Sequence, residues 1–155
     1  MWIIDFRELS LGEAACYEQP FEHVRTQVKP TRMKTRRKRR RELWWIHGEV
    51  NNALRRAVEG HARYLATCQT AKHRLFVWIA TVVLPAQTVI AFARSDDWFL
   101  GALESRVHKS WGLALGTHLE TRPRYTPSTC FETFPFPEPT EEQKKQIAIS
   151  SELLR

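Results

Sequence analysis

Glycine and cysteine are both scarce in this chain of 155 residues, at 6 and 3. The glycines form no G-x-G-x-x-G or P-loop, so no loop that cradles phosphate or cofactor is encoded. A G-x-S-x-G elbow and an H-E-x-x-H pair are also missing. Cys16, Cys68 and Cys130 are odd in number, far apart and form no C-x-x-C pair, which excludes a disulfide framework or a zinc ribbon. The six histidines are equally scattered, whereas structural zinc ligands come in close pairs. Long apolar runs are lacking too. The longest, Leu75 to Leu84, is about half of the roughly 20 residues a spanning helix needs, and Pro85 closes it. Asp5 and Glu8 stand where a secretory signal would be cationic and then apolar. These features fit a reduced, cytoplasmic protein with no membrane partner.

What is present is a core and a charge. A hydrophobic fraction of 43%, with 8 Phe, 6 Trp and 3 Tyr, is enough to exclude wholesale disorder. The net charge is +7, but the excess is local. Ten cations and no acid lie between Arg25 and Arg41, leaving 14 basic against 17 acidic residues elsewhere, a net of −3. A near-neutral domain therefore carries one cationic segment.

The pattern alternates helix, strand and helix. Trp2–Phe6 is short, aromatic and β-branched, as in a strand. Ser10 sits three before Glu13, a capping box for a helix running to Pro20. Phe21–Val28 continues as helix, and Thr31 caps a third that carries the basic run and ends in Leu43-Trp44-Trp45-Ile46. Asn51 caps a short helix that Gly60 stops. Arg63–Thr67, Lys72–Ile79 and Thr88–Ala93 read as strands, with a turn at Leu84–Gln87. Ser95 or Asp96 then caps one helix in which Phe99, Leu103, Val107 and Trp111 form a stripe. Thr117–Thr129 reads as irregular, Cys130–Phe134 as a strand, and the prolines at 135, 137 and 139 as an extended exit. Thr140 and Gln143 open a last helix, whose apolar residues have little chain left to pack against. The expected fold class is α+β, a small central sheet flanked by helices, with a helical basic segment and a C-terminal helix.

Two segments carry chemistry. Arg36, Arg37, Lys38, Arg39, Arg40 and Arg41 are six consecutive cations that can neutralise phosphates and release counterions, or can serve as a solvated face. On a helix they wrap all round, so some stay in water. The stretch Thr117-His118-Leu119-Glu120-Thr121-Arg122-Pro123-Arg124 sets an acid beside two arginines. Arginine forks onto guanine O6 and N7, and glutamate accepts from cytosine N4, so Glu120, Arg122, Arg124 and His118 are candidates to read base edges. Their bland alternative is a surface loop with a local ion pair. Lys72 and Arg74 are secondary phosphate candidates, or the wet end of a buried strand. Trp44 and Trp45 read as core seals more than as base-stacking platforms. Asp96 and Asp97 answer a helix dipole without needing a metal. Glu142-Gln143-Lys144 has E-x-K spacing but no partner acid upstream.

In order along the chain stand Trp2-Ile3-Ile4-Asp5-Phe6, Tyr17-Glu18-Gln19-Pro20-Phe21-Glu22, the basic run into Trp44-Trp45, and Arg63-Tyr64-Leu65-Ala66-Thr67. They are followed by Ala71-Lys72-His73-Arg74-Leu75-Phe76, Ser105-Arg106-Val107-His108 with Trp111, Arg124-Tyr125-Thr126, and Cys130-Phe131-Glu132-Thr133-Phe134-Pro135-Phe136-Pro137. Together they resemble the target-recognition region and following segment of MmeI-like, Type IIL restriction–modification enzymes, over roughly residues 1 to 139. That family joins a nuclease, an adenine-N6 methyltransferase, a target-recognition domain and a helical C-terminal part. The resemblance covers only the later portion. The sequence has no Asn-Pro-Pro-aromatic motif, glycine-rich cofactor loop or nuclease carboxylates, so methylation and cleavage do not carry over. Family recognition positions fall on or near Glu120, Arg122 and Arg124. Glu104 departs from the family, which favours histidine before Ser-Arg.

The resemblance thus implies a double-stranded DNA recognition domain over 1–139, with its basic segment at 25–47, and the start of a C-terminal helical region at 140–155. It implies no cofactor in this chain. S-adenosylmethionine and Mg²⁺ belong to a methyltransferase core and a nuclease acting in cis or in trans. Rival readings are a piece of a split methyltransferase, active only when complemented, and a non-catalytic remnant whose Trp44, Trp45 and last helix face a protein partner.

Overall fold

The structure, a computed structural model, describes residues 2–48, 51–119 and 122–152. The chain forms two compact units, Met1–Asn52 and Ala53–Arg155. This division falls inside the stretch expected to be one domain.

Unit one is helical. Residues 2–6 are not a strand: among the described residues the unit holds no neighbour to complete a ladder. Instead Ile4 and Phe6 turn into the core and Trp2 stands in solvent. The Ser10 capping box forms as expected. The Glu13 amide donates to Ser10 Oγ at 3.3 Å, and the Ser10 amide donates to Glu13 Oε2 at 2.8 Å. Helix α1 (Leu11–Ala15) is shorter than expected. Helix α2 (Glu18–His23) takes Pro20 in its first turn and runs through a π-helical turn, Val24–Val28, into α3 (Lys29–Met33). Thr31 lies inside α3 rather than at its cap.

The basic run is not one helix. It breaks after Met33, passes Arg37 in an extended conformation and resumes as α4 (Lys38–Glu42). A continuous helix would have stacked like charges at i and i+4, which destabilises it. The core collects Phe6, Ala14, Val24, Trp44 and Ile46. Trp44 packs 5.4 Å from the Phe21 ring, and the Trp45 indole donates to the Leu9 carbonyl at 2.9 Å.

Helix α5 (Asn52–Ala57) leads into unit two, and after a turn that follows it Gly60 takes φ +81°, a left-handed conformation that favours glycine. A three-stranded antiparallel sheet follows: β1 (Arg63–Cys68) at the centre, β2 (Val77–Ala80) and β3 (Val89–Phe92) on its flanks. Arg63 pairs with Ala80, and Leu65 with both Trp78 and Phe92. Four consecutive β1 residues, Tyr64–Thr67, are buried because both faces are covered. Leu65 enters the aromatic core with Phe76, Phe92, Phe99 and Leu103. Tyr64 and Ala66 join Val58 and Leu54 on the other face.

The stripe expected on one helix is split between α6 (Asp97–Glu104) and α7 (Arg106–Leu115). Ser105 breaks them apart, and its hydroxyl caps α7 by accepting from the His108 amide at 3.2 Å. The break rotates Val107 outward, 71% exposed, and brings His108 into the buried place. Two further expectations are corrected. Thr117–Thr129 is not irregular throughout, since β4 (Thr117–Leu119) and β5 (Arg122–Arg124) pair as an antiparallel hairpin. Cys130–Phe134 is not a strand: Cys130 and Phe131 close a π-helical turn, Pro127–Phe131, and residues 132–134 continue it as a turn. That turn aims Phe131 at Phe92, 4.8 Å between centroids, and lets Phe136 stack on Phe99 at 5.3 Å.

Helix α8 (Glu141–Glu152) opens on the expected Thr140–Gln143 box. It does not lack a partner. A Cβ at Gly101 of α6 would lie 2.5 Å from Ile147 Cγ2, so glycine allows the two helices to touch, and Ser151 is buried there. The fold class is α+β, a small antiparallel sheet flanked by helices. Among the described residues no helix is long and apolar enough to cross a membrane.

Candidate nucleic-acid interface

The candidate residues fall into a set on unit one and a set on unit two. On unit one the six cations are not equivalent. Arg39 donates to the Gly48 carbonyl at 2.9 Å, and Arg41 donates to the Thr35 and Arg36 carbonyls at 2.7 and 3.0 Å. Lys38 faces Glu42 at 3.7 Å. Arg40 lies against Gly48, where a Cβ would fall 2.8 Å from its Nε. Arg36 and Arg37 are exposed and carry no side-chain hydrogen bond or ion pair among the described residues. Arg32, one of the ten cations of the segment but not a candidate contact, has a buried Nη1 with no hydrogen-bond partner among the described residues, and burial and the charge of Arg40 both lower its pKa.

On unit two the hairpin holds His118, Arg122 and Arg124, all exposed. Thr117 faces Arg124, His118 faces Pro123, and Leu119 faces Arg122. Because side chains alternate along a strand, Arg122 and Arg124 share one face and His118 occupies the other. Glu120 lies outside the described residues.

The foot of the hairpin is fixed. The Tyr125 amide donates to the Gln69 carbonyl at 2.8 Å, and the Ala71 amide donates to the Pro123 carbonyl at 3.3 Å. At Gly116 a Cβ would lie 2.5 Å from the Gly112 carbonyl oxygen and 2.8 Å from that of Arg124, so only glycine admits this approach. Lys72, Arg74, His108, Gly112, Arg124 and Tyr125 line a shallow cleft behind it. Lys72 is exposed at the rim and Arg74 is half-buried inside.

The Tyr125 hydroxyl donates to His108 Nε2 at 3.1 Å, while His108 Nδ1–H donates to the Leu103 carbonyl at 3.0 Å. That pattern needs a neutral imidazole. Burial, with the charge of Arg74 adding to it, holds the histidine below its ordinary pKa, and burial raises the Tyr125 phenol. Sequence reasoning missed this pair, although a tyrosine directly after an exposed strand residue is the alternation that would point inward. Glu104, the family departure, has local work: it accepts from the Phe76 amide at 2.6 Å and pairs with Lys109. The neighbouring acids are also occupied. Asp97 meets Arg63 at 2.7 Å, and Asp96 takes a two-pronged contact from Arg94 at 2.7 and 2.9 Å.

Fold and surface together define a small α+β domain displaying an anchored cationic hairpin, with a second cationic set on a helical unit. The chain belongs to the MmeI target recognition domain family, whose model matches residues 2–138. It is similar to DNA methyltransferase A of Bacillus subtilis (strain 168), 40% identical over 53 residues, which is 34% of this chain and 6% of that protein. Its fold is similar to the solved Type IIL restriction-modification enzyme MmeI in complex with DNA, with a TM-score of 0.77 at 18% identity. That match covers 97% of this chain and 20% of the enzyme chain, so the present chain spans about a fifth of the solved protein.

Proposed function

We propose that this chain selects a short sequence in double-stranded DNA, reading base edges in the major groove through the β4–β5 hairpin. A two-stranded ribbon fits that groove. The observation that carries the reading is the register, which sets Arg122 and Arg124 side by side on one exposed face above a fixed foot. Arg122 and Arg124 act as bidentate donors, and Glu120 acts as the acceptor that a neighbouring cytosine requires. His118, on the opposite face, contributes to readout only from the other side of the ribbon. Arg36 and Arg37, backed by Lys38–Arg41 and by Lys72, supply sequence-independent attraction to phosphates.

Since the sequence carries neither a glycine-rich cofactor loop nor the Asn-Pro-Pro-aromatic motif, we assign chemistry to other parts. A methyltransferase core using S-adenosylmethionine, and a nuclease using Mg²⁺, act in cis or in trans with this module. The burial of Trp44 in the core of unit one and the packing of α8 on α6 support this reading over a remnant whose Trp44, Trp45 and last helix face a protein partner.

The test is a selection from randomised duplexes. Arg122→Ala costs about 1–3 kcal/mol at one base position and leaves preferences elsewhere intact. An unchanged preference profile in a folded variant refutes readout by this hairpin.

A further inference from the structure

Arg74 looks from the sequence like another phosphate contact, but its guanidinium is spent inside the protein. Nη1 donates to Thr67 Oγ1 at 3.1 Å and to the Cys68 carbonyl, and Nη2 reaches the Gln69 and Pro123 carbonyls, each at 3.4 Å. The Thr67 hydroxyl in turn donates to the Leu75 carbonyl at 2.7 Å. The guanidinium carbon lies 5.1 Å from the centre of the Tyr125 ring. One planar fork therefore joins the end of β1 to the middle of β5, and the residue after β5 is held by His108. A lysine ammonium, a single point charge, cannot span four acceptors while lying on an aromatic ring.

We propose that Arg74 is a positioning residue for base recognition: it locks the hairpin to the central strand so that Arg122 and Arg124 meet the groove in one orientation. This rests on the reading that the hairpin contacts DNA. Readout by hydrogen bonds tolerates little displacement, so a loosened foot lowers discrimination between bases more than total attraction. A role in phosphate contact makes the reverse prediction.

Two variants of the full chain, Arg74→Ala and Arg74→Lys, separate these outcomes. In the free protein, hydrogen exchange at the Ala71 and Tyr125 amides is expected to accelerate about tenfold or more, while the amides pairing β1 with β2 and β3 keep their protection. In complex, both variants are expected to lose about tenfold in preference at the position read by Arg122, with the slope of log affinity against log salt unchanged. Overturning results are unchanged exchange at both amides, or a slope reduced by about 0.9 in Arg74→Ala with base preference intact. Near wild-type preference in Arg74→Lys also overturns it. If Arg74→Ala does not fold, Arg74→Lys supplies both readouts. The exchange arm uses no DNA, so it decides the anchoring even if the hairpin proves not to bind a duplex.

Discussion

The double variant Arg36→Gln, Arg37→Gln tests how much of the basic run reaches phosphate. Counted from the sequence, six consecutive cations would contribute a salt slope of about 5, at about 0.9 per neutralised phosphate. The structure lowers that figure, because Arg39 and Arg41 bind carbonyls of their own unit and Lys38 faces Glu42. Only Arg36 and Arg37 are both exposed and uncommitted among the described residues of this block. Removing these two should reduce the slope by about 1.8, so that between 50 and 200 mM salt the parent loses roughly tenfold more affinity than the variant. The loss should be the same for every duplex sequence, and thermal unfolding should not change. Arg39→Gln with Arg41→Gln is the counterpart. It gives up the carbonyl contacts, at about 1 kcal/mol each, and shows its effect in stability more than in slope. Titration by fluorescence anisotropy at several salt concentrations measures both. A slope unaltered by the first pair, or a loss confined to one sequence, refutes the assignment.

Two further predictions concern unit two. Gly101→Ala gains about 1 kcal/mol of helix propensity but places a methyl group 2.5 Å from Ile147 Cγ2, and overpacking costs about 1–3 kcal/mol. The clash should dominate and lower the melting temperature in calorimetry, whereas a raised one would show that α6 and α8 do not touch. His108 gives a pH dependence. Its folded pKa lies below the 6.5 it has when free, so the unfolded chain binds more protons in that window. Stability should be level above about pH 6.5 and fall as the pH drops beneath it, before the carboxylates titrate. His108→Gln should remove this first decline in urea titrations, and an identical decline in the variant would place its origin elsewhere.

The elements written in local chemistry were legible in the sequence. Both capping boxes, the centre of β1, the left-handed turn at Gly60 and the burial of Trp44 follow from side-chain spacing or type alone. The failures share a cause, because each depends on a partner remote in sequence. Trp2–Phe6 has the composition of a strand but finds no ladder in its unit. Phe99, Leu103, Val107 and Trp111 keep helical spacing, yet the Ser105 hydroxyl competes for the backbone and restarts the helix on a different phase. The hairpin was hidden because Pro123 and a charged surface give β5 no apolar alternation. Its pairing comes instead from the anchor at Gln69, Ala71 and Arg74. At the site, residue type proposed Arg122, Arg124 and His118 alike, and only register separates His118 from the two arginines.

Arginine is the residue for which composition says least and geometry most. Arg36, Arg39, Arg74 and Arg122 look alike in the sequence, and each could be a phosphate ligand. A guanidinium has five N–H donors in a fixed plane, so each one that caps a backbone carbonyl leaves fewer donors, and less freedom to turn, for a base or phosphate. Arg39, Arg41 and Arg74 are committed in this way, and each ties together segments that the chain itself does not hold. Arg36, Arg37, Arg122 and Arg124 remain exposed on their units. The committed arginines set where the backbone lies, and the exposed ones face what it meets. If Arg122 and Arg124 read bases, then affinity and selectivity reside in different units. Salt should then change binding chiefly through unit one, and base substitution chiefly through unit two.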